Sequence, residues 1–196
     1  MDKTTNVIGI DCSPRAPSNS GRMLGEVLRS LGRDRRLKVA EQVRLADERI
    51  DCLGCEQCYQ TLGYHGDGID RVLSLMKESD VILMATPTCF GMPPALGVVL
   101  LDRADPLWRY GQQLKGKLGA VIVNGATDPA GDPSVRQCAD NMINFFEQQE
   151  MPCVQPVHLG GTFAYPEQRF PDPLPADTKG ALEQLADGIR QWVRSR

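Results

Sequence analysis

Three groups of residues in this chain carry side chains suited to chemistry. The first is Asp11-Cys12-Ser13-Pro14-Arg15-Ala16-Pro17-Ser18-Asn19-Ser20-Gly21, which follows the apolar run Val7-Ile8-Gly9-Ile10. Behind it, Met23, Leu24, Val27, Leu28 and Leu31 fall on one helix face. A strand, a hydroxyl-rich turn and a helix N-terminus in that order make an anion socket. Backbone N–H groups and the positive end of the helix dipole meet Ser13, Ser18, Asn19, Ser20 and the Arg15 guanidinium, a set suited to a terminal phosphate. The plainer alternative is that Ser18, Asn19 or Ser20 only caps the helix. The second group is Cys52-Leu53-Gly54-Cys55-Glu56-Gln57-Cys58, with a thiol every third residue, so that the three can converge on one metal centre. The third comprises two Pro/Gly-rich loops. One runs Pro87-Thr88-Cys89-Phe90-Gly91-Met92-Pro93-Pro94, and the other runs from Gly125, Ala126 and Thr127 to Pro133.

The elements that must position these groups alternate along the chain. Val7 to Asp11, Leu37 to Leu45, Val81 to Ala85, Leu118 to Val123 and Val154 to Leu159 read as strands. The run 81–85 is apolar throughout, as befits a strand covered on both faces. Helical spacing marks Gly21 to Leu31, Ile69 to Met76, Pro94 to Arg103, Val135 to Phe146 and Leu182 to Val193. The 94–103 helix reads as apolar all round, suited to burial or a subunit contact. Five strands alternating with five helices predict a doubly wound, five-stranded parallel α/β sheet in a three-layer sandwich, with right-handed crossovers. In such sheets ligands sit at the carboxyl ends of the strands, where the strand order reverses, so the loops after residues 11, 86 and 124 should surround one site. The whole of 1–196 reads as one domain, with a cysteine-rich insertion at about 51–67.

Composition narrows the function. With 22 basic and 25 acidic residues the net charge is −3, which argues against a nucleic-acid partner. The longest uninterrupted apolar run, Ala95 to Leu101, is far too short to span a membrane, and no signal peptide is evident at the start. Seven cysteines without a secretory signal suit a reducing cytoplasm and metal or redox chemistry. Neither G-x-G-x-x-G nor G-x-x-x-x-G-K-[ST] occurs, so a mononucleotide fits the first loop better than a tightly held dinucleotide or nucleoside triphosphate. A flat ring would lie against the second and third loops, where Gly91, Gly125 and Gly131 allow close backbone approach.

Ser13-Pro14-Arg15 with Ser18-Asn19-Ser20, then Pro87 and Phe90-Gly91, then Leu101-Asp102-Arg103, resemble the flavodoxin-like NAD(P)H-dependent FMN reductases over most of residues 6–160. The resemblance implies FMN, with its phosphate on Ser13, Arg15, Ser18, Asn19 and Ser20. Its ring would lie against Pro87, Thr88, Cys89, Phe90 and Gly91 and the loop Asn124, Gly125, Ala126 and Thr127. It also implies NAD(P)H as cosubstrate, an electron acceptor, and assembly as a homodimer or homotetramer. The family usually has an aromatic residue at Cys89, so here a thiol faces the ring and is the one candidate catalytic side chain.

The cysteine run resembles that of the iron–sulfur flavoproteins in the same superfamily, which add a fourth cysteine several residues on. Here His65 stands at the matching distance. Three readings are open: a [4Fe–4S] cluster on Cys52, Cys55, Cys58 and His65 or another cysteine, a zinc site on the same four residues, or free thiols in a structural or contact loop. Cys138 and Cys153 read as small buried hydrophobes. Asp102-Arg103 reads as a pair tying a helix end to its surroundings. Trp108 and Tyr110 read as flavin cover or interface. The expected activity is electron transfer from NAD(P)H through FMN. Two alternatives stand beside it: an electron carrier reduced by a protein partner, and a cofactor-free or zinc-binding regulatory protein on the same fold.

Overall fold

The computed structural model describes residues 4–61, 65–126, 133–160 and 172–196. Thr127, Gly131 and the aromatic segment around Phe163, Tyr165 and Phe170 lie outside the described residues. Five strands, β1 (Thr5–Asp11), β2 (Leu37–Arg44), β3 (Val81–Pro87), β4 (Leu118–Asn124) and β5 (Val157–Leu159), form one parallel sheet in the order β2-β1-β3-β4-β5. The order reverses between β1 and β3. β4 is buried along its whole length, and β3 is buried but for Pro87 at its end, because helices cover both faces of the sheet. Edge strand β2 instead alternates, and a bulge between Val7 and Ile8 shifts its register against β1.

Alternation along the strands splits the core in two. Ile8, Ile10, Ile82, Met84, Val121 and Val123 pack under α3 (Gly68–Glu78), α4 (Ala95–Arg109) and α5 (Ser134–Gln148). Val7, Leu83, Ala85, Ala120 and Ile122 face α1 (Asn19–Leu31) and α6 (Ala176–Arg194). This is the doubly wound three-layer sandwich expected from the sequence. Among the described residues the remaining α-helix, α2 (Cys58–Thr61), is a single turn inside the cysteine segment that no periodicity announced.

Two elements depart from the sequence reading. Helix α4 runs six residues beyond Arg103, through Pro106, because Leu107 is buried and anchors the extra turns. Its surface is not apolar all round, since Asp102 and Asp105 are exposed and Arg103 is buried. Strand β5 begins only at Val157: Pro156 has no N–H for the ladder, so Cys153 makes an isolated bridge to Gly119 and stays partly exposed. Among the described residues no helix is long and apolar enough to cross a membrane.

Candidate functional site

Asp11, Ser13, Ser18, Ser20, Thr86 and Asn124, at or just beyond the carboxyl ends of β1, β3 and β4, are all buried polar residues. Asp11 organises the first turn. Its carboxylate accepts the Ser13 N–H at 3.0 Å and the Ser18 hydroxyl at 2.7 Å. Burial pushes that carboxyl above its ordinary range, while the Ser18 and Ser13 contacts pull it back. Ser18 is the N-cap of α1 and accepts the Gly21 N–H at 2.7 Å. The hydroxyl proton of Ser18 is therefore already given to Asp11, and the capping role foreseen for this triplet falls to Ser18. Ser13 Oγ accepts the Arg15 N–H at 3.3 Å, and the Arg15 side chain is exposed beside the turn.

A Cβ at Gly21 would stand 2.5 Å from Asp11 Oδ2 and 2.9 Å from Ser18 Oγ, so the helix start and the acid close on each other only around glycine. Asn19, partly buried, opens the helix behind them.

The three loops meet as the topology requires. Ser20 Oγ donates to Asn124 Oδ1 at 2.6 Å, the Thr88 N–H donates to the Asn124 carbonyl at 2.9 Å, and the Cys12 N–H donates to the Ala85 carbonyl at 2.8 Å. Gly125 is held tightly: a Cβ there would lie 2.4 Å from Val135 and 3.0 Å from Thr88. Its N–H goes to the Leu159 carbonyl, so this amide supports the sheet and does not point at a ligand. Ala126 extends the same loop and is exposed.

Beyond Pro87 and Thr88, residues Cys89 to Met92 close a tight turn by exchanging backbone hydrogen bonds of 2.8 and 3.0 Å. Phe90 (φ 51°) and Gly91 (φ 78°) are both left-handed at its tip, the pairing a type I′ turn demands. The Phe90 ring is fully exposed and the Cys89 thiol is exposed. Asn141 fastens the turn from α5 by donating to the Gly91 carbonyl at 2.9 Å. Cys138, on the same helix, is buried, its thiol pushed up to about 12 by that burial against the opposing Thr88 hydrogen bond.

Cys52, Cys55, Cys58 and His65 line a second groove, of about 640 Å³, walled on its other side by residues of α4 and α5. Cys52 and Cys55 are exposed and Cys58 is buried. Among the described residues no group of three or more His, Cys, Asp or Glu is gathered to hold a metal ion. Three thiols and an imidazole are residue types suited to a thiolate-bound centre, but among the described residues they are not gathered around one. At the base of this loop Arg103 is almost wholly buried. It donates to the Asp51 carbonyl at 3.1 Å, to Asp67 at 2.6 and 3.3 Å, and to Asp70 at 3.2 Å. Its ion-pair partners lie across the cysteine loop at the start of α3, and the neighbouring Asp102 is exposed to solvent. Sequence reasoning placed Arg103 at a helix end but missed these partners, which lie more than thirty residues away.

A 2-1-3-4-5 parallel sheet with a phosphate-type turn at its β1/β3 crevice defines a flavodoxin-like α/β protein. The chain belongs to the NADPH-dependent FMN reductase family, whose model matches residues 5–160. It is similar to an iron–sulfur flavoprotein of Methanocaldococcus jannaschii, 33% identical over 166 residues covering 80% of this chain and 81% of that protein. A second iron–sulfur flavoprotein, from Methanosarcina thermophila, is 29% identical over 133 residues, covering 67% of this chain and 69% of its own. Among solved structures, the apo form of the NADH:FMN oxidoreductase EmoB superimposes with a TM-score of 0.70 at 15% identity, covering 98% of this chain and 90% of that one, a likeness of fold. Family and relatives together place the chain among flavin-dependent oxidoreductases, with FMN the cofactor they support. The turn carrying Ser13, Arg15, Asn19 and Ser20 at the N-terminus of α1, held in shape by Asp11 and Ser18, has the chemistry to take the phosphate end of that cofactor.

Proposed function

We propose that the protein is an FMN-dependent oxidoreductase that takes reducing equivalents from NAD(P)H and delivers them to a small-molecule or protein acceptor, with a [4Fe–4S] centre in the cysteine loop on the way. The observation that carries this reading is the joining of all three strand-end loops by the Ser20–Asn124 and Thr88–Asn124 hydrogen bonds around a buried hydroxyl turn. When bound, FMN supplies the exchange of a hydride for single electrons.

The chain's own residues bind and orient. Ser13, Arg15, Asn19 and Ser20, with the N-terminus of α1, hold the phosphate, while Ser18 and Asp11 keep the turn in shape. The Pro87–Gly91 turn and the segment from Asn124 through Ala126 border the ring, and Cys89 is the thiol within that turn. Cys52, Cys55 and Cys58 supply thiolates for the second centre. Exposed Phe90 and Met92 before α4, and Trp108 and Tyr110 at its far end, are large apolar side chains that support assembly into a homodimer or homotetramer.

The test is an anaerobic visible spectrum of purified protein titrated with FMN and then mixed with NADPH or NADH, with iron and sulfide analysis. Retained yellow colour that bleaches on adding the pyridine nucleotide is the expected result. Bleaching by a reduced ferredoxin but by neither nucleotide would make the protein an electron carrier. Failure to retain FMN would overturn the flavin reading itself.

A further inference from the structure

The first turn of α1 carries no acidic residue of its own, and the anion facing this helix end is Asp11, the last residue of β1 and only 2% exposed. Its two oxygens take the Ser13 N–H and the Ser18 hydroxyl, and a Cβ at Gly21 would meet Oδ2 at 2.5 Å. A carboxylate therefore already occupies the positive helix end that a phosphate would use. Among the described residues the charged groups that bear on Asp11 are Arg44, its ladder partner on β2, and Asp47, in the short 3-10 turn Leu45–Asp47. Those two form an ion pair with each other, so Arg44 offsets the Asp11 charge only weakly. The neighbouring Cys12 thiol stays neutral, because burial and then the Asp11 charge both push it up. Burial also moves Asp11 itself toward its neutral form. A phosphate set beside this carboxylate brings two like charges into one poorly solvated turn, where both do not stay ionised.

We propose that Asp11 couples the binding of FMN to the uptake of one proton, holding the turn as a carboxylate in the free protein and as a neutral carboxyl in the complex. The proton also turns a hydrogen bond around. In the free protein Ser18 gives its hydroxyl proton to Asp11 Oδ2 at 2.7 Å and accepts the Gly21 N–H. A protonated Oδ2 donates to Ser18 Oγ instead, and the Ser18 hydroxyl proton is released to a phosphate oxygen. Ser18 thereby joins Ser13, Arg15, Asn19 and Ser20 as a phosphate donor. Because the carboxyl holds its proton more tightly in the complex, affinity is full below the free-protein pKa and falls as the pH rises above it. The inference rests on the FMN reading above, and its test separates the two. Flavin-free protein, wild type and Asp11→Asn, is titrated with FMN and with riboflavin at pH 6, 7 and 8. Binding to wild type is also followed by infrared difference spectroscopy. Asn accepts the Ser13 N–H and donates to Ser18, as the neutral acid would, so the variant preserves the turn.

The second ionisation of the phosphate, at about pH 6, acts on both proteins alike and cancels in the ratio of their Kd values. The expected result is a wild-type to variant ratio for FMN that climbs by about tenfold or more from pH 6 to pH 8. Wild-type protein should also gain the infrared band of a protonated carboxyl on adding FMN and not on adding riboflavin. A ratio that stays flat with pH, or FMN bound without that band, would overturn the proton coupling and leave the flavin reading standing. The band is read on wild-type protein alone, so a variant that folds poorly does not spare the proposal. Wild-type protein that binds no FMN at any of these pH values would overturn both readings together.

Discussion

Replacing Arg103 by Met should test how the cysteine loop is held. Among the described residues the wild-type guanidinium donates to the Asp51 carbonyl, twice to Asp67, and to Asp70. Met fills much of the side-chain volume but leaves two carboxylates, with side-chain exposures of 14% and 18%, facing an apolar stem. Breaking a buried ion pair by removing one partner costs about 3–5 kcal/mol. Here Asp67 keeps its cap on the Ile69 N–H and Asp70 keeps the His65 and Gly66 amides, so the lower end applies, about 3 kcal/mol. For a chain of this size that is a fall in melting temperature of roughly 6–12 °C, measured by circular dichroism. Adding Asp67→Asn, which preserves the cap while deleting one stranded charge, should restore part of the loss. Because Arg103 binds both stems of the loop, the buried Cys58 thiol should also react faster with iodoacetamide, while exposed Cys52 and Cys55 change little. A melting shift below about 3 °C with unchanged Cys58 labelling would refute the claim that this guanidinium secures the loop.

Two further changes probe the rest of the molecule. Gly21→Ala places a methyl against Asp11 and Ser18; despite the better helix propensity of Ala, it should weaken FMN binding at least tenfold by fluorescence titration, and unchanged affinity would show that the phosphate turn does not depend on that close approach. His158 in β5 has a buried Nε2, and burial with the nearby Arg136 lowers its pKa from 6.5 against the pull of Asp140. The unfolded chain therefore takes up a proton before the folded one. Stability should be full above about pH 6.5 and decline as the pH falls toward the lower folded value; His158→Gln should flatten that slope in denaturant titrations from pH 7 to 5.

The order of strands and helices was legible because burial on both faces leaves unbroken apolar runs, as in 81–85, and one-sided burial leaves 3.6-residue spacing, as in Met23 to Leu31. The end of α4 was not, because Asp102, Asp105 and Pro106 look like a stop, and only the burial of Leu107 in the assembled core carries the helix onward. Within the turn after β1, residue types alone showed that Ser13, Ser18 and Ser20 belong together. Which hydroxyl caps the helix and which reaches across to Asn124 depends on where β4 sits beside β1 and β3.

Local chemistry thus determined the element order and singled out the two candidate sites, and short motifs carried the resemblance to the family. Pairings over long stretches of chain were decided by tertiary structure alone: Arg103 with Asp67 and Asp70, and Ser20 with Asn124. The reason is physical. A side chain's own type and its neighbours at helical or strand spacing set its local conformation, but a buried charge or polar atom finds its partner wherever packing brings one within hydrogen-bond distance.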